Sequence, residues 1–169
     1  YASPGNGSPH HLAMEMFKHR TKSFLTHIPY RGAAPALQDV MGGQVPSMFL
    51  DLAAGLPVIT SGKVRALAIG SAKRVAALPD VPTLAEAGVP NTEVFAFQGI
   101  LAPAGLPAAI TTRLNAELNK ALLNPAVVKR MNDFGMEALP GTPEQFRAMA
   151  RAESKRWGEI IQAAGVKLD

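Results

Sequence analysis

The second half of this 169-residue chain carries more apolar helix face than it has strand to cover. Pro107 opens a helix whose Ile110, Leu114, Leu118 and Leu122 recur every four residues, so they share one side. Asn124 and Pro125 restart the helix after a break, and Gly135 ends it. Thr142, Pro143 and Gln145 then open a further helix at capping-box spacing, with Phe146, Met149, Trp157, Ile160 and Ile161 as its apolar face up to Gly165. Beyond Gly88 the one strand candidate is "VFAFQGILAPAG". A single strand leaves most of that helix surface bare, so these helices either pack on a sheet formed earlier in the chain or need a sheet the chain lacks.

The first half alternates short strand-like and helical runs, as an α/β layer structure does. Strands are expected in "FLTHIPY", "VPSMFL" and "VRALAIGS", and a helix from His11 to about Arg20. "RGAAPALQDVMGG" reads as a loop and short helix stopped by Gly42 and Gly43. Asp51 is placed to cap a helical turn before Pro57, and Thr83 with Glu86 to cap one small helix closing on Gly88.

Composition excludes several functions. There is no cysteine, hence no disulfide, thiolate metal site or thiol nucleophile. The net charge is +4, but Lys18, Arg20, Lys22, Arg151, Lys155 and Arg156 read as solvated helix faces or mild steering for an anion. Aromatic residues make up 6% and none interleaves the basic groups, which argues against a nucleic-acid stacking surface. No apolar run approaches the roughly 18 residues of a membrane span. The sequence starts at Tyr1 with no secretory leader, as a processed protein or an excised fragment would.

Candidate chemistry concentrates in "ASPGNGSPHH". Ser3 and Ser8 bring hydroxyls, Asn6 an amide, and Gly5 and Gly7 a backbone that a bound group can approach closely. Placed before a helix, such a loop is either a turn with a cap or a cradle for an anion at the helix start. Without a following lysine it is not a phosphate loop of the Walker type. His11 stands at the helix beginning, where its imidazole can face a ligand carboxylate. His11, Glu15 and His19 are spaced four apart and could offer metal ligands, but an exposed polar stripe accounts for them more simply. Tyr30, Arg31 and Gly32 follow a strand and precede a helix, and Asp51 occupies an equivalent place; ligands of open α/β sheets sit at such carboxyl ends. No serine has a nucleophile-elbow sequence around it.

Taken together, "YASPGNGSPHHLAMEMF", "HIPYRGAAPALQDVMGGQV", "GKVRALAIGSAKRVAALPDVPTLAEAGVP" and "GILAPAGLPAAITTRLNAEL" closely resemble the Bug family, the extracytoplasmic solute receptors of tripartite tricarboxylate transporters. The resemblance runs along essentially the whole chain, and "ALPDVPTLAEAG" followed by "LAPAG" is its most specific part. It implies a periplasmic-binding-protein-like α/β fold, with two domains closing on a small carboxylate-type solute for delivery to the permease subunits in the membrane. It implies no enzyme activity, cofactor, metal or nucleic acid. On this resemblance, residues 1–91 form the second, ligand-binding α/β domain, complete in this chain. Residues 92–169 are the crossover strand and helices of a first domain whose N-terminal part is not here.

The resemblance also implies ligand-binding roles for Ser3, Gly5, Asn6, Gly7, Ser8 and His11 in the first loop and for Tyr30 and Gly32 in the second. His10 stands where a glutamine is more usual and Arg31 where a lysine is common. Leu50 and Asp51 depart from a pattern that often places an acidic residue first, and Phe97 matches an aromatic position, often tryptophan, expected at the crevice. The bare helix faces then belong against strands of the first domain; in this chain alone they favour self-association. The rival readings are a protein-interaction or sensor fragment and, more remotely, a metal-dependent enzyme.

Overall fold

The structure is a computed structural model that describes residues 1–94, 96–133 and 136–166. It divides into two compact units, one of Tyr1–Ala96 with Arg156–Asp169 and one of Phe97–Lys155.

The first unit is organised around two residues. Strand β1 (Ala2–Ser3) runs parallel to β2 (Ile28–Pro29), with Ala2 opposite Ile28 and Ser3 opposite Pro29. On its other edge Ala2 makes a parallel bridge to Met48, its N–H donating to the Ser47 carbonyl at 2.9 Å. Regular pairing is far shorter than the three strands expected in this half. Pro4 ends β1, because it has no N–H to offer and turns the chain out of the sheet, and neighbours can pair only along the length β1 provides. "VRALAIGS" likewise contributes one bridge, Ile69 with Thr83, and "VFAFQGILAPAG" forms no strand among the described residues.

Helix α1 (Pro9–Thr21) starts as its sequence dictates: Ser8 is extended, its Oγ accepts the His11 N–H at 3.3 Å, and Pro9 takes the first turn. It ends at Lys22 in the left-handed conformation. Residues 11–16 of α1 are buried without interruption. Helix α2 (Ala33–Met41) lies against β1 through small side chains: Ala2, Ala36 and Val45 are sealed from solvent, with Tyr30, Val40 and Met48 around them. Helix α3 (Leu52–Thr60) runs on past the turn expected before Pro57 and ends just ahead of Gly62. The ring removes one helical bond, yet Gly55 still donates to the Asp51 carbonyl at 2.9 Å and Ser61 to that of Pro57 at 3.2 Å. At Thr83 the capping box forms, Thr83 N–H to Glu86 Oε2 at 2.8 Å and Glu86 N–H to Thr83 Oγ1 at 3.1 Å. Its helix is a single turn, because Gly88 leaves it in the left-handed region.

The second unit holds α4 (Ala108–Leu122), α5 (Pro125–Asp133) and the start of α6 (Pro143–Ala164). The restart at Asn124 is real: its side-chain oxygen accepts the Ala126 N–H at 2.9 Å. Thr142 and Gln145 form the expected capping box, at 2.8 and 3.2 Å. Asn115 and Asn119 on α4 both donate to the Gly141 carbonyl at 2.9 Å, and Asn119 accepts the Gly141 N–H in return. Among the described residues none in α4, α5 or α6 is buried, and Ile110 and Leu114 stand 46% and 49% exposed. The expected stop at Gly135 falls outside the described residues, whereas Gly165 ends α6 with positive φ.

Candidate functional site

The loops that follow β1, β2 and the Met48 bridge converge at the carboxyl edge of the small sheet. After β1 the chain crosses to β2 on one side, and after β2 it crosses back to Met48 on the other. Connections leaving the sheet on either side of a central strand part at its carboxyl end, which is where open α/β sheets take their ligands. The first loop, residues 4–8, is tied to the second by the Gly32 N–H, which donates to the Pro4 carbonyl at 3.0 Å. Gly5, at φ 145°, passes close enough to the second loop that a Cβ there would lie 3.5 Å from the Tyr30 carbonyl oxygen. The third loop brings Asp51, at the start of α3, to 3.3 Å from His10 Nε2 on α1. Asp51 makes no side-chain cap bond, and despite its nearness the His10 ring nitrogens, both shut away from solvent, make no hydrogen bond among the described residues.

The first loop is held mainly from beneath. The Gly5 N–H donates to Ser3 Oγ at 3.1 Å, and that oxygen also pairs with His27 Nε2 at 2.6 Å. The Ser8 N–H donates to the Gly5 carbonyl at 3.2 Å, and the Gly7 N–H donates to His11 Nδ1 at 3.0 Å. Ser3 and His11 are therefore buried supports, whereas Asn6 is exposed and Gly5, Gly7 and Ser8 are half-buried at the surface. Because Ser8 Oγ accepts from His11, its hydroxyl hydrogen remains available to a ligand. Tyr30 has turned its hydroxyl onto α2, donating to Asp39 Oδ2 at 2.6 Å. Phe97 belongs to the second unit, where it meets Phe146 edge to face, 5.8 Å between ring centres.

Below the loop lies a buried polar cluster that sequence reasoning saw only in part. Glu15 Oε1 accepts from the Tyr1 hydroxyl at 2.5 Å and from Lys18 Nζ at 2.6 Å, and lies 3.8 Å from His11 Nε2. His11 and Glu15 are thus not an exposed stripe; both are buried while His19 is exposed, and no metal-holding group of three occurs among the described residues. Lys18 is correspondingly held by Glu15, not solvated. The correction follows from packing: α1 is enclosed along residues 11–16, so its polar members must satisfy one another.

Burial works against the Glu15 carboxylate, but the hydrogen bonds from Lys18 and Tyr1 outweigh it and hold its pKa below the ordinary value. Burial, and then the bond to that carboxylate, keep the Tyr1 phenol protonated well above its usual range. Burial lowers His11, against the pull of Glu15. Burial and then the neighbouring His11 push His27 down to about 4. Tyr1 and His27 escaped the sequence reading, since no local spacing announces partners 14 or 24 residues away.

Residues 1–166 match the tripartite tricarboxylate transporter family receptor. The chain belongs to that family. BugT of Bordetella pertussis is 38% identical over 162 residues, 96% of this chain and 50% of BugT. Among solved structures, R. palustris Rpa4515 with adipate superposes with a TM-score of 0.86 at 35% identity, over 98% of this chain and 56% of that one. MatC from Rhodopseudomonas palustris with bound malate gives 0.77 at 34%, over 95% and 55%. The chain spans about half the length of the first curated relatives it matches. The family is one of receptors rather than enzymes. The fold is the periplasmic-binding-protein-like one, matched over about half of those structures, here mostly helical with little sheet.

Proposed function

We propose that this chain forms one wall of a periplasmic solute receptor and holds the carboxylate of a small organic acid at the loop after β1, for delivery to a membrane permease. The observation that carries the reading is the convergence of three loops on one carboxyl edge, tied by the Gly32 N–H to the Pro4 carbonyl, in a chain of this family. The Gly7 and Ser8 amides are committed inside the loop. A carboxylate is received by the Ser8 hydroxyl and the positive end of α1, with Asn6 beside them on the exposed part of the loop and Arg31 adding an exposed cation on the next loop. Ser3 and His11 act from behind, and Asp51 with His10 forms the far side of the same edge.

The domain assignment belongs to this proposal: residues 1–91 are the ligand-binding α/β domain, and residues 92–169 belong with the opposite domain. Tyr30 and Gly32 shape the crevice, Tyr30 through its backbone. The dicarboxylates seen with relatives, adipate and malate, are the ligands to try first. Since the chain spans about half of those relatives, the other wall is expected from the part it does not cover, and binding by this chain alone is weak. Thermal shift and calorimetry with adipate, malate and a monocarboxylate control test the reading. Stabilisation by a dicarboxylate, reduced in Ser8→Ala, supports it; no response at millimolar concentration, in this chain or in one extended to the relatives' length, refutes it.

A further inference from the structure

We infer that His11 is the positioning residue of the first loop: its neutral imidazole latches the Gly7 N–H, and protonation of that ring releases the loop and weakens solute binding. The latch rests on geometry alone; its effect on the solute rests on the receptor reading above.

His11 grips the loop twice. Its own N–H donates to Ser8 Oγ at 3.3 Å, and its Nδ1 accepts from Gly7 at 3.0 Å. An imidazole that accepts at Nδ1 carries its proton on Nε2, the atom facing Glu15 Oε1 at 3.8 Å. An imidazolium has no acceptor nitrogen, so protonation would set the Gly7 N–H against a second N–H. Gly7, at φ 69°, is in the left-handed region, and the lost bond frees a residue with unusual conformational choice.

The groups that face the ring decide when this happens. From α1 come Glu15, which favours the charged ring, and Lys18, which opposes it; from just before β1 comes Tyr1, its ring centre 6.2 Å away and its hydroxyl on Glu15; and from the segment entering β2 comes His27, stacked 3.8 Å away. Burial adds to the opposition and is the largest influence, so the latch is closed at neutral pH.

Two variants of the full chain separate this role from simple packing. His11→Leu keeps the volume without an acceptor, and His11→Asn returns an oxygen near the place of Nδ1 without a titrating ring. Amide exchange by NMR is expected to show the Gly7 protection factor falling about fivefold in His11→Leu and recovering most of that in His11→Asn. In the parent, Gly7 protection should fall in step with the His11 ring titration, and in His11→Asn it should not. A Gly7 amide indifferent to the His11 titration overturns the latch, and this measurement decides the matter if His11→Leu does not fold.

Calorimetry with adipate as the probe tests the second step: affinity should decline as the ring is protonated and should lose that decline in His11→Asn. Adipate bound equally well across the titration overturns the release step. Adipate bound at no pH counts against the receptor reading for that acid, while the Gly7 measurements judge the latch independently.

Discussion

The imidazoles of His11 and His27 lie face to face, 3.8 Å between ring centres and 9° from parallel. One ring comes from the first turn of α1 and the other from the segment entering β2, so the stack ties α1 to that segment. Tyr1 extends it, its ring 4.9 Å from that of His27.

This stack makes the fold sensitive to mild acid. His27 is held down to about 4 from 6.5, so between those values the unfolded chain binds the proton that the folded chain refuses. Stability is fully present above pH 6.5 and is lost as pH falls toward 4. Solvent screening around a half-exposed ring brings the loss to about 1–2 kcal/mol. Urea unfolding at pH 7.5 and 4.5 checks it: His27→Phe keeps a ring in the stack and should lose less over that interval than the parent, whereas equal losses would assign the effect to another group.

The two glycines of the first loop should respond unequally to alanine. Gly7, at φ 69°, is in the left-handed pocket, which a side chain enters at about 1 kcal/mol. Gly5, at φ 145°, lies well outside it, and alanine there should destabilise by about 2–3 kcal/mol. Thermal unfolding of Gly5→Ala and Gly7→Ala gives the order; a reversed order would show the first loop to be differently built.

Tyr1→Phe removes one donor from Glu15 and leaves Lys18 in place. Its expected cost is about 1–2 kcal/mol. Because the phenol helps hold the carboxylate ionised, the Glu15 titration should move upward, read by carbon NMR of its carboxyl group. The stability Glu15 contributes is present above its ordinary value of 4.5 and lost as pH falls through the lower folded value, so in the variant that loss should be smaller and complete at higher pH. An unmoved titration would remove Tyr1 from the cluster.

The apolar face of α4 should drive this chain to associate when it is prepared by itself. Ile110 and Leu114 are about half exposed on that helix, and Leu123 just beyond it is 65% exposed. Light scattering at rising concentration should report dimers or larger species, and Leu114→Glu should shift them toward monomer. A monomer at every concentration would contradict this.

Local chemistry was legible in the sequence and long-range chemistry was not. Ser8, Asn124, Thr142 with Gln145, and Thr83 with Glu86 announce their caps through spacings of two or three residues, and each bond is made. Strand length was misjudged because apolar runs such as "VPSMFL" measure a segment's readiness to pair, whereas pairing also needs a neighbour of equal length, and Pro4 cuts that neighbour short. Pro57 leaves α3 whole, since a helix of nine residues absorbs one missing bond. In the candidate site, the loops that meet were readable as the carboxyl ends of strands. The burial of Glu15 was not, because its partners come from outside its helix as well as from Lys18, and Tyr30 hid its preference for Asp39 in the same way.

Ala2 finds its pairing partners at Ile28 and Met48, one and two crossovers along the chain. Each pairing closes a long loop of backbone before any contact repays the lost chain entropy, and contacts of that span form slowly. The loops at the end of β1 are thus expected to assemble late, after α1 and α2 have taken shape. A refolding experiment followed at the Ser3 and Gly7 amides would see them acquire protection with the slowest phase, so the candidate site is the last part of the unit to know its own form.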